Sequence, residues 1–495
     1  LLAATALLAS GNAPAGPVDA DSKAWWALTS ELSSDAMEGR DTGSGGYERA
    51  ARLVAQRMAK AGLKPLGENG GWFQRVPFDE LAVTDATLTG PGGALVFLDD
   101  FTVTPVTKLP DVATLPVAYR GYCAAEALGE VRGKLVICHG TRRDGLTTGR
   151  QRYEAVKAAG AAGMVQVADP GFTIEPPRWP YAYARDVNRG EQTREDDGFI
   201  DLTLRAGALA RLVDPKRAPS LIADGAAGRP LPAFDGATAR LTFATRTAHY
   251  SAPNIIGMIP GTDPKLADQA IVLGAHLDGY GFGRAVNGDA LYNGTLDDAA
   301  YVALLLHLAE MRQARGYKRP VVIAIWTGEE KGLHGSNWFV THPTLPLARV
   351  AGYINLDQLR PIFPLKLMTV HARTDSTLGE MAEAVAKTRG IRVQDDPEPA
   401  RNLLRRSDHW PFIGAGIPAV NFVFGYEPGS ESEKIYRQWY RTGYHKPQDD
   451  VNQPIDWQAA ADFNRFFYAL VDRVANADAR PEWQPGSALA PTPRP

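Results

Sequence analysis

Two cysteines, Cys123 and Cys138, are all the thiol chemistry in a chain of 495 residues. That scarcity excludes a disulfide-rich scaffold and any thiolate metal site of the finger type. A single bridge across the short loop between them stays open as an option in an oxidising compartment. Charge of one sign is equally short: 53 Lys and Arg against 56 Asp and Glu leave a formal net charge of −3. Nothing there favours nucleic acid or an anionic membrane as partner. No stretch reaches the roughly 18 consecutive apolar residues of a membrane-spanning helix. There is no Gly-x-Ser-x-Gly, which argues against a serine hydrolase of the elbow type. Ser407, Asp408 and His409 are too close in sequence to form a triad, and Asp408 and His409 fit a pocket wall or an outer layer of support better.

What is present is 44% hydrophobic residues with 49 Gly and 36 Pro, the make-up of a loop-rich α/β protein of two or three domains. The first residues, Leu1 to Ser10 and on to Pro17, resemble the tail of a secretory signal. The expectation is a protein located in the periplasm or outside the cell. Residues 18–87 read as two helices and a strand. The second helix, about Tyr47 to Ala61, carries Ala50, Leu53, Val54 and Met58 at helical spacing, and Gly62 and Pro65 stop it. The strand is Phe73 to Phe78. This stretch reads as scaffold without chemistry. Residues 88–245 turn to short β runs, with a strand near Leu135–Cys138, a helix near Arg152–Ala159 and a strand Met164–Val167. Ile174 to Asp197 reads as a surface loop without a clear element. Residues 246–478 alternate strands and helices again, and 479–495, rich in Pro and Ala, read as a disordered tail.

Within 246–478 the apolar runs end in acids and imidazoles. Pro320–Trp326 leads into Thr327-Gly328-Glu329-Glu330. Ile271–Ala275 leads into His276-Leu277-Asp278, and Val350–Leu356 into Asp357. A loop carries Asp297-Asp298 to the start of a helix, and His445 follows Gly443-Tyr444. In an open α/β sheet the carboxyl ends of the strands are where ligands collect. Taken singly, each residue has an ordinary explanation: a capped histidine, a helix N-cap at Asp297-Asp298, a solvated Glu-Glu turn. Taken together, in order, His276, Asp297, Glu330, Asp357 and His445 suit a pair of divalent cations with one shared carboxylate. Zinc is the first choice, with cobalt or manganese as substitutes. Asp278, two residues after His276, is placed to accept the free imidazole N–H and fix its tautomer. Asp298, Asp408 and His409 are further candidates for that supporting layer.

These pieces make the sequence similar to the M28 family of co-catalytic zinc peptidases: His276-Leu-Asp278, Tyr292-Asn-Gly-Thr-Leu-Asp297-Asp298, Thr327-Gly-Glu-Glu330, Asn355-Leu-Asp357, Ser407-Asp-His409 and Tyr444-His445-Lys-Pro. Gly39-Arg40 to Gly43-Ser44 and Gly62-Leu-Lys-Pro65 also fit. The Val131-Arg-Gly-Lys-Leu-Val136 turn and Lys157–Val165 make the 88–245 block resemble a protease-associated domain. The implied fold is a doubly wound, mostly parallel α/β sheet carrying that β-rich insert. The resemblance implies one zinc held by His276, Asp297 and Asp357, and a second by Asp297, Glu330 and His445. Glu329 is then the free carboxylate, taking a proton from a metal-bridging water and passing it to the leaving amine. Tyr444 is implied as an extra donor to the oxyanion. Tyr301 and Asp298 stand where relatives often have Gly and Asn.

The expected activity is aminopeptidase action on peptides. One rival is a carboxypeptidase of the glutamate carboxypeptidase type, for which Arg405 and Arg406 would have to reach the pocket. A glutaminyl cyclase with one zinc would not need all five ligands. A non-catalytic receptor-like module on the same scaffold would be expected to have lost some. The insert either restricts access to the cleft or supports a homodimer.

Overall fold

The computed structural model describes residues 18–169, 181–190, 198–312, 315–357 and 359–491. In chain order its main elements are α1 (Ala20–Leu32), α2 (Gly45–Lys60), β1 (Phe73–Gly90), β2 (Val112–Arg120), β3 (Leu135–His139), α3 (Gly149–Ala158), β4 (Gly163–Val167), β5 (Arg185–Asn188), β6 (Ile200–Leu204), β7 (Ala233–Ile259), β8 (Ala270–His276), α4 (Ala300–Arg312), β9 (Val321–Trp326), β10 (Val350–Asn355), β11 (Leu367–His371), α5 (Thr377–Thr388), β12 (Ala419–Phe424), α6 (Glu431–Thr442) and α7 (Trp457–Asn476).

Strands β8, β9, β10 and β12 are buried along their whole length. Unbroken burial needs cover on both faces, which is the condition of inner strands in a parallel sheet flanked by helices. The order is β11-β12-β10-β8-β9-β7. The pairs β8–β9, β8–β10 and β10–β12 are parallel, while β7 joins β9 and β11 joins β12 in antiparallel fashion. The carboxyl ends of β8, β9 and β10 therefore lie side by side, at His276, Trp326 and Asn355. Helix α4 is buried almost all round because α1 covers its outer side, and Trp25 Nε1 donates to the Ala300 carbonyl at 2.6 Å. Serine or aspartate caps fix several starts; Ser44 accepts from the Tyr47 amide and Asp456 from the Ala459 amide.

Strand β1 does not end at Phe78. It runs on to Gly90, paired with β7 from Phe73–Ile255 to Thr89–Arg240, with a shift of register between Ala244 and Thr245. This two-stranded ribbon carries the chain out to a second lobe and back. Phe78, Ala252 and Ile255 pack in the core of the first lobe, whereas Val83, Leu88, Leu241 and Phe243 pack in that of the second. The second lobe continues the sheet as β2-β3-β4-β6, and Cys123 and Cys138 form a buried disulfide inside it.

Two expectations are corrected. Within Ile174–Asp197, residues 181–190 are not a loop without structure: β5 pairs antiparallel with β1, Arg185 opposite Ala82 and Asn188 opposite Asp79. The free edge of β1 accepts the strand, and Asp41 and the buried Glu80 hold its arginine. The rest of that segment lies outside the described residues. The tail is also packed as far as residue 491. Trp483 donates to the Gly416 carbonyl at 2.9 Å, the Thr377 amide to the Glu482 carbonyl at 2.9 Å and Ser487 to Asp375 at 2.7 Å. A tryptophan that finds a pocket outweighs a Pro- and Ala-rich composition. Residues 1–17, where the secretory signal was expected, lie outside the described residues.

Candidate metal centre

His276 is the last residue of β8; Glu329 and Glu330 follow β9 after a tight turn, and Asp357 follows β10. Asp297 sits in a distorted turn, Thr295–Ala299, that opens α4, with a cis bond to Asp298. His445 stands just beyond α6 with φ of 52°. The structure brings all six side chains together. His276 Nε2 lies 3.4 Å from Asp297 Oδ1 and 3.9 Å from Glu329 Oε2. His445 Nε2 lies 3.6 Å from Asp297 Oδ2 and 3.5 Å from Glu330 Oε2. Ligand atoms within 4.8 Å of one another form two sets, His276 with Asp297 and Glu330, and His276 with Glu329 and Asp357. The second set places Glu329 beside the group it was expected to serve.

The chemistry of these atoms fits a cation. His276 Nε2, Glu330 Oε1 and both carboxylate oxygens of Asp357 are buried without a hydrogen bond, and buried polar atoms left so are uncommon. His276 Nδ1 lies 3.0 Å from the Asp278 carbonyl. A carbonyl can only accept, so Nδ1 carries the proton and the Nε2 lone pair faces the acids. Burial raises the Glu329 carboxyl well above its ordinary range, with Asp357, Glu330 and Asp408 adding and His276 opposing. Glu330 is raised likewise, by burial first and then by Asp297. Burial also pushes Asp297 up, but His276, Arg360 and His445 outweigh it and the carboxyl stays low. So many acids in one buried place are costly unless cations compensate them. Donors of imidazole nitrogen and carboxylate oxygen suit zinc.

The surrounding layer departs from expectation at several points. The Asp278 carboxylate does not take the imidazole proton. It accepts from the amides of Glu329 at 3.1 Å and Glu330 at 3.3 Å, because the chain turns after β8 and aims the side chain at the next loop. Asp298 accepts from the His276 amide at 3.1 Å. Asp408 accepts from Ser336, and burial pushes it up to about 7. His409 turns away into the interior, stacked on His371 with ring centroids 5.9 Å apart. Tyr444 is buried, its ring lies on His445, and its hydroxyl accepts from Arg406 at 3.5 Å.

Other functional neighbours were not foreseen. Tyr280 donates to Glu330 and its hydroxyl lies 3.0 Å from His445 Nδ1. Asp449 accepts the amides of Leu296 at 2.9 Å and Asp297 at 3.0 Å, gripping the distorted turn. Gly294 enters that turn at φ of 58°, where an added Cβ would stand 2.5 Å from the Asp297 carbonyl oxygen, so glycine is required. Arg360 reaches Asp297 Oδ2 at 3.4 Å while its guanidinium lies over Trp439. Arg40, fully buried, donates to the carbonyls of Leu277, Asn293 and Gly294. Only the acidic run after His445 and the Gly-Arg pair offered any local signal for these. A cleft of about 490 Å³ opens onto the cluster, lined by Tyr183, Arg185, Lys331, Arg405, Arg406 and Tyr444 among others.

Residues 254–471 match the model of "Peptidase family M28". A probable leucine aminopeptidase 2 of Aspergillus oryzae is 26% identical over 210 residues, 40% of each chain. A glutamate carboxypeptidase 2 homolog of Caenorhabditis elegans is 28% identical over 216 residues, 39% of this chain and 26% of that one. The chain thus spans well under half the length of these curated relatives. The aminopeptidase from Aneurinibacillus sp. strain AM-1 superposes with a TM-score of 0.63 at 18% identity, over 92% of this chain and 94% of its own. The zinc aminopeptidase from Bacillus subtilis superposes at 0.61 and 18%, over 94% and 98%. At that identity the likeness is one of fold, the mixed, mostly parallel α/β architecture read from the sequence. The motif-bearing stretch, residues 254–471, is the part of this chain that is similar to peptidase family M28.

Proposed function

We propose that this chain is an exported two-zinc exopeptidase that removes amino-terminal residues from peptides. The observation that carries the reading is the cluster of buried ligand atoms lacking hydrogen bonds at His276, Glu330 and Asp357, drawn around Asp297 and His445. His276, Asp297 and Asp357 would hold one ion, and Asp297, Glu330 and His445 the other. Divalent ions, when bound, supply Lewis acidity toward a carbonyl oxygen and lower the pKa of water. Glu329 is 8% exposed, and burial raises the affinity of its carboxylate for a proton above that of an ordinary carboxylate. It is suited to take a proton from the attacking water and return it to the leaving amine. Tyr280 and Arg360 keep Glu330 and Asp297 in place, and Tyr444 would donate toward the oxyanion once Arg406 or substrate turns its hydroxyl. The acids at the cleft floor suit an α-ammonium. The Cys123–Cys138 bridge supports export, and the ribbon-borne lobe is read as the protease-associated insert.

A second reading, carboxypeptidase action, is favoured by one observation: Arg405 and Arg406 do line the cleft. A panel of aminoacyl-anilides, carboxy-terminally blocked dipeptides and free dipeptides, with and without a chelator, separates the two. Chelator-sensitive release from every substrate with a free amine, blocked or not at the carboxyl end, supports the aminopeptidase. Release that demands a free carboxylate supports the carboxypeptidase, and no chelator-sensitive release defeats both.

A further inference from the structure

We infer that Asp41 is a positioning residue that locks the Glu329–Glu330 turn to the inserted lobe. Its carboxylate is shared between two cations from distant parts of the chain. Oδ1 accepts from Lys331 Nζ at 2.6 Å and Oδ2 from Arg185 Nη1 at 2.6 Å. The Lys331 side chain is 1% exposed and that of Arg185 6%, with Asp41 at 22%, so both cations are withdrawn from water and each pair is screened only from the Asp41 side. Lys331 directly follows Glu330. Arg185 begins β5, the strand that the inserted lobe lays back against β1. Its second arm reaches Glu80 at 2.5 Å, and Glu80 also takes Tyr250 at 3.0 Å and Arg246 at 3.1 Å. The inserted strand is thereby anchored to the ribbon, and through Asp41 to the acidic turn.

The neighbouring residue completes the device. Arg40 bonds the carbonyls of Leu277, Asn293 and Gly294, in the loops that carry His276 and Asp297. Asp41 also pairs with Gly279 across a short bridge. Two consecutive residues of opposite charge thus span the loops bearing His276, Asp297 and Glu330. Moving the inserted strand must displace Asp41 or free its Oδ2 from Arg185; displacement pulls on Lys331 directly, and loss of Arg185 leaves the Asp41 carboxylate held, among the described residues, only by Lys331. Such coupling requires a contiguous set of contacts with a defined geometry, and this chain of ion pairs supplies one.

The kinetic part of this inference rests on the peptidase reading, so its main test avoids activity. Hydrogen exchange is measured on the chelator-treated full chain for the parent, Asp41→Asn, Arg185→Met and Lys331→Met. In Asp41→Asn and Arg185→Met the amides of residues 329–333 should exchange at least ~10-fold faster, while β3 and β4 exchange as in the parent. Arg185→Met is decisive, because among the described residues its guanidinium bonds Asp41 and Glu80 and neither glutamate of the turn. Unchanged exchange at 329–333 in that variant, or acceleration spread equally over β3 and β4, overturns the inference. If Asp41→Asn fails to fold, Lys331→Met is read by the same criteria. With substrate, Asp41→Asn should lower kcat ~10-fold with KM within about twofold, and adding Lys331→Met should cost little more. Multiplying losses in the double variant would overturn the shared role. Absence of hydrolysis by the parent would count against the peptidase reading alone.

Discussion

His445 Nε2 faces Asp297 Oδ2 across 3.6 Å, although one residue follows α6 and the other precedes α4. Asp297 meets His276 from its other oxygen at 3.4 Å, so a single carboxylate stands between two imidazoles. That is the arrangement expected of a ligand shared by two ions. Replacing His445 by Ala should remove about one equivalent of zinc and leave the other, and Asp297→Ala should remove both, as elemental analysis after gel filtration would show. Full occupancy in Asp297→Ala would deny it the shared role.

The adjacent glutamates should separate cleanly. Glu329→Gln keeps the volume and the hydrogen bond from its amide to Asp278 but cannot carry a proton. Its zinc content should match the parent while kcat falls at least ~100-fold, the usual scale of a lost general base. Glu330→Ala should instead lose zinc first, because its carboxylate faces His445. A Glu329→Gln enzyme of ordinary turnover would move the proton-transfer role elsewhere.

Asp449 acts without reaching the cluster. Its two oxygens satisfy the amides of Leu296 and Asp297, and Gln453 donates to it at 2.6 Å. Asp449→Ala leaves those amides buried and unbonded, which costs about 1–3 kcal/mol each, and frees the turn that aims Asp297. Zinc affinity, measured by competition with a chromophoric chelator, should weaken by about 10–100-fold. The same affinity in a folded variant would show that Gly294 and Arg360 suffice to hold the turn.

What could be read in advance followed from burial. β8, β9 and β10 are apolar from end to end because both faces are covered, and such runs announce themselves, as do the His, Glu and Asp that stop them. Arg40, Arg360 and Tyr280 could not be found that way. Each is a lone residue outside any periodic run, and its role depends on which carbonyl, carboxylate or ring the fold sets opposite. The strand beyond Phe78 gives no single pattern in the sequence, because β1 changes cores on the way to Gly90 and Pro77 interrupts the run. Arg185 and Trp483 lie in stretches whose composition suggests loops; the partners that order them, Asp41, Glu80 and the Gly416 carbonyl, are remote in sequence.

Acid should loosen the inserted lobe through His139. The ring is fully buried, neither nitrogen has a hydrogen bond, and burial lowers its pKa to about 4 against 6.5 ordinarily. Because the folded value is depressed, the unfolded chain binds the proton first, and stability falls as pH drops from 6.5 toward 4. Between pH 6.5 and 5 this group alone should cost about 2 kcal/mol. His371, also lowered to about 4 by burial, acts in the same direction in the other lobe. Denaturant titrations at pH 7 and pH 5 should therefore show a smaller loss for His139→Leu than for the parent. Equal losses would mean that the ring titrates alike in the folded and unfolded states, as it would if hydrated when folded.

Replacing Arg406 should separate the two readings of the cleft. It lines the cleft with Arg405, but the two are differently engaged: Arg405 lies over the Trp410 ring at 4.7 Å, whereas Arg406 bonds the Tyr444 hydroxyl at 3.5 Å. A substrate carboxylate within reach of Arg406 would gain a charge-assisted pair. If amino-terminal residues are removed without regard to the far end of the substrate, Arg406→Met should change kcat/KM for an aminoacyl-anilide by less than about threefold. For a free dipeptide the same variant should then behave like the parent on its carboxamide. If a carboxylate is instead required, Arg406→Met should raise KM for free dipeptides by ten-fold or more with kcat little changed, the mark of lost uniform binding. Rescue by Arg406→Lys would be partial at best, since an ammonium cannot reproduce the guanidinium fork. The two outcomes are exclusive, and the acids at the floor of the cleft, which suit an ammonium, favour the first.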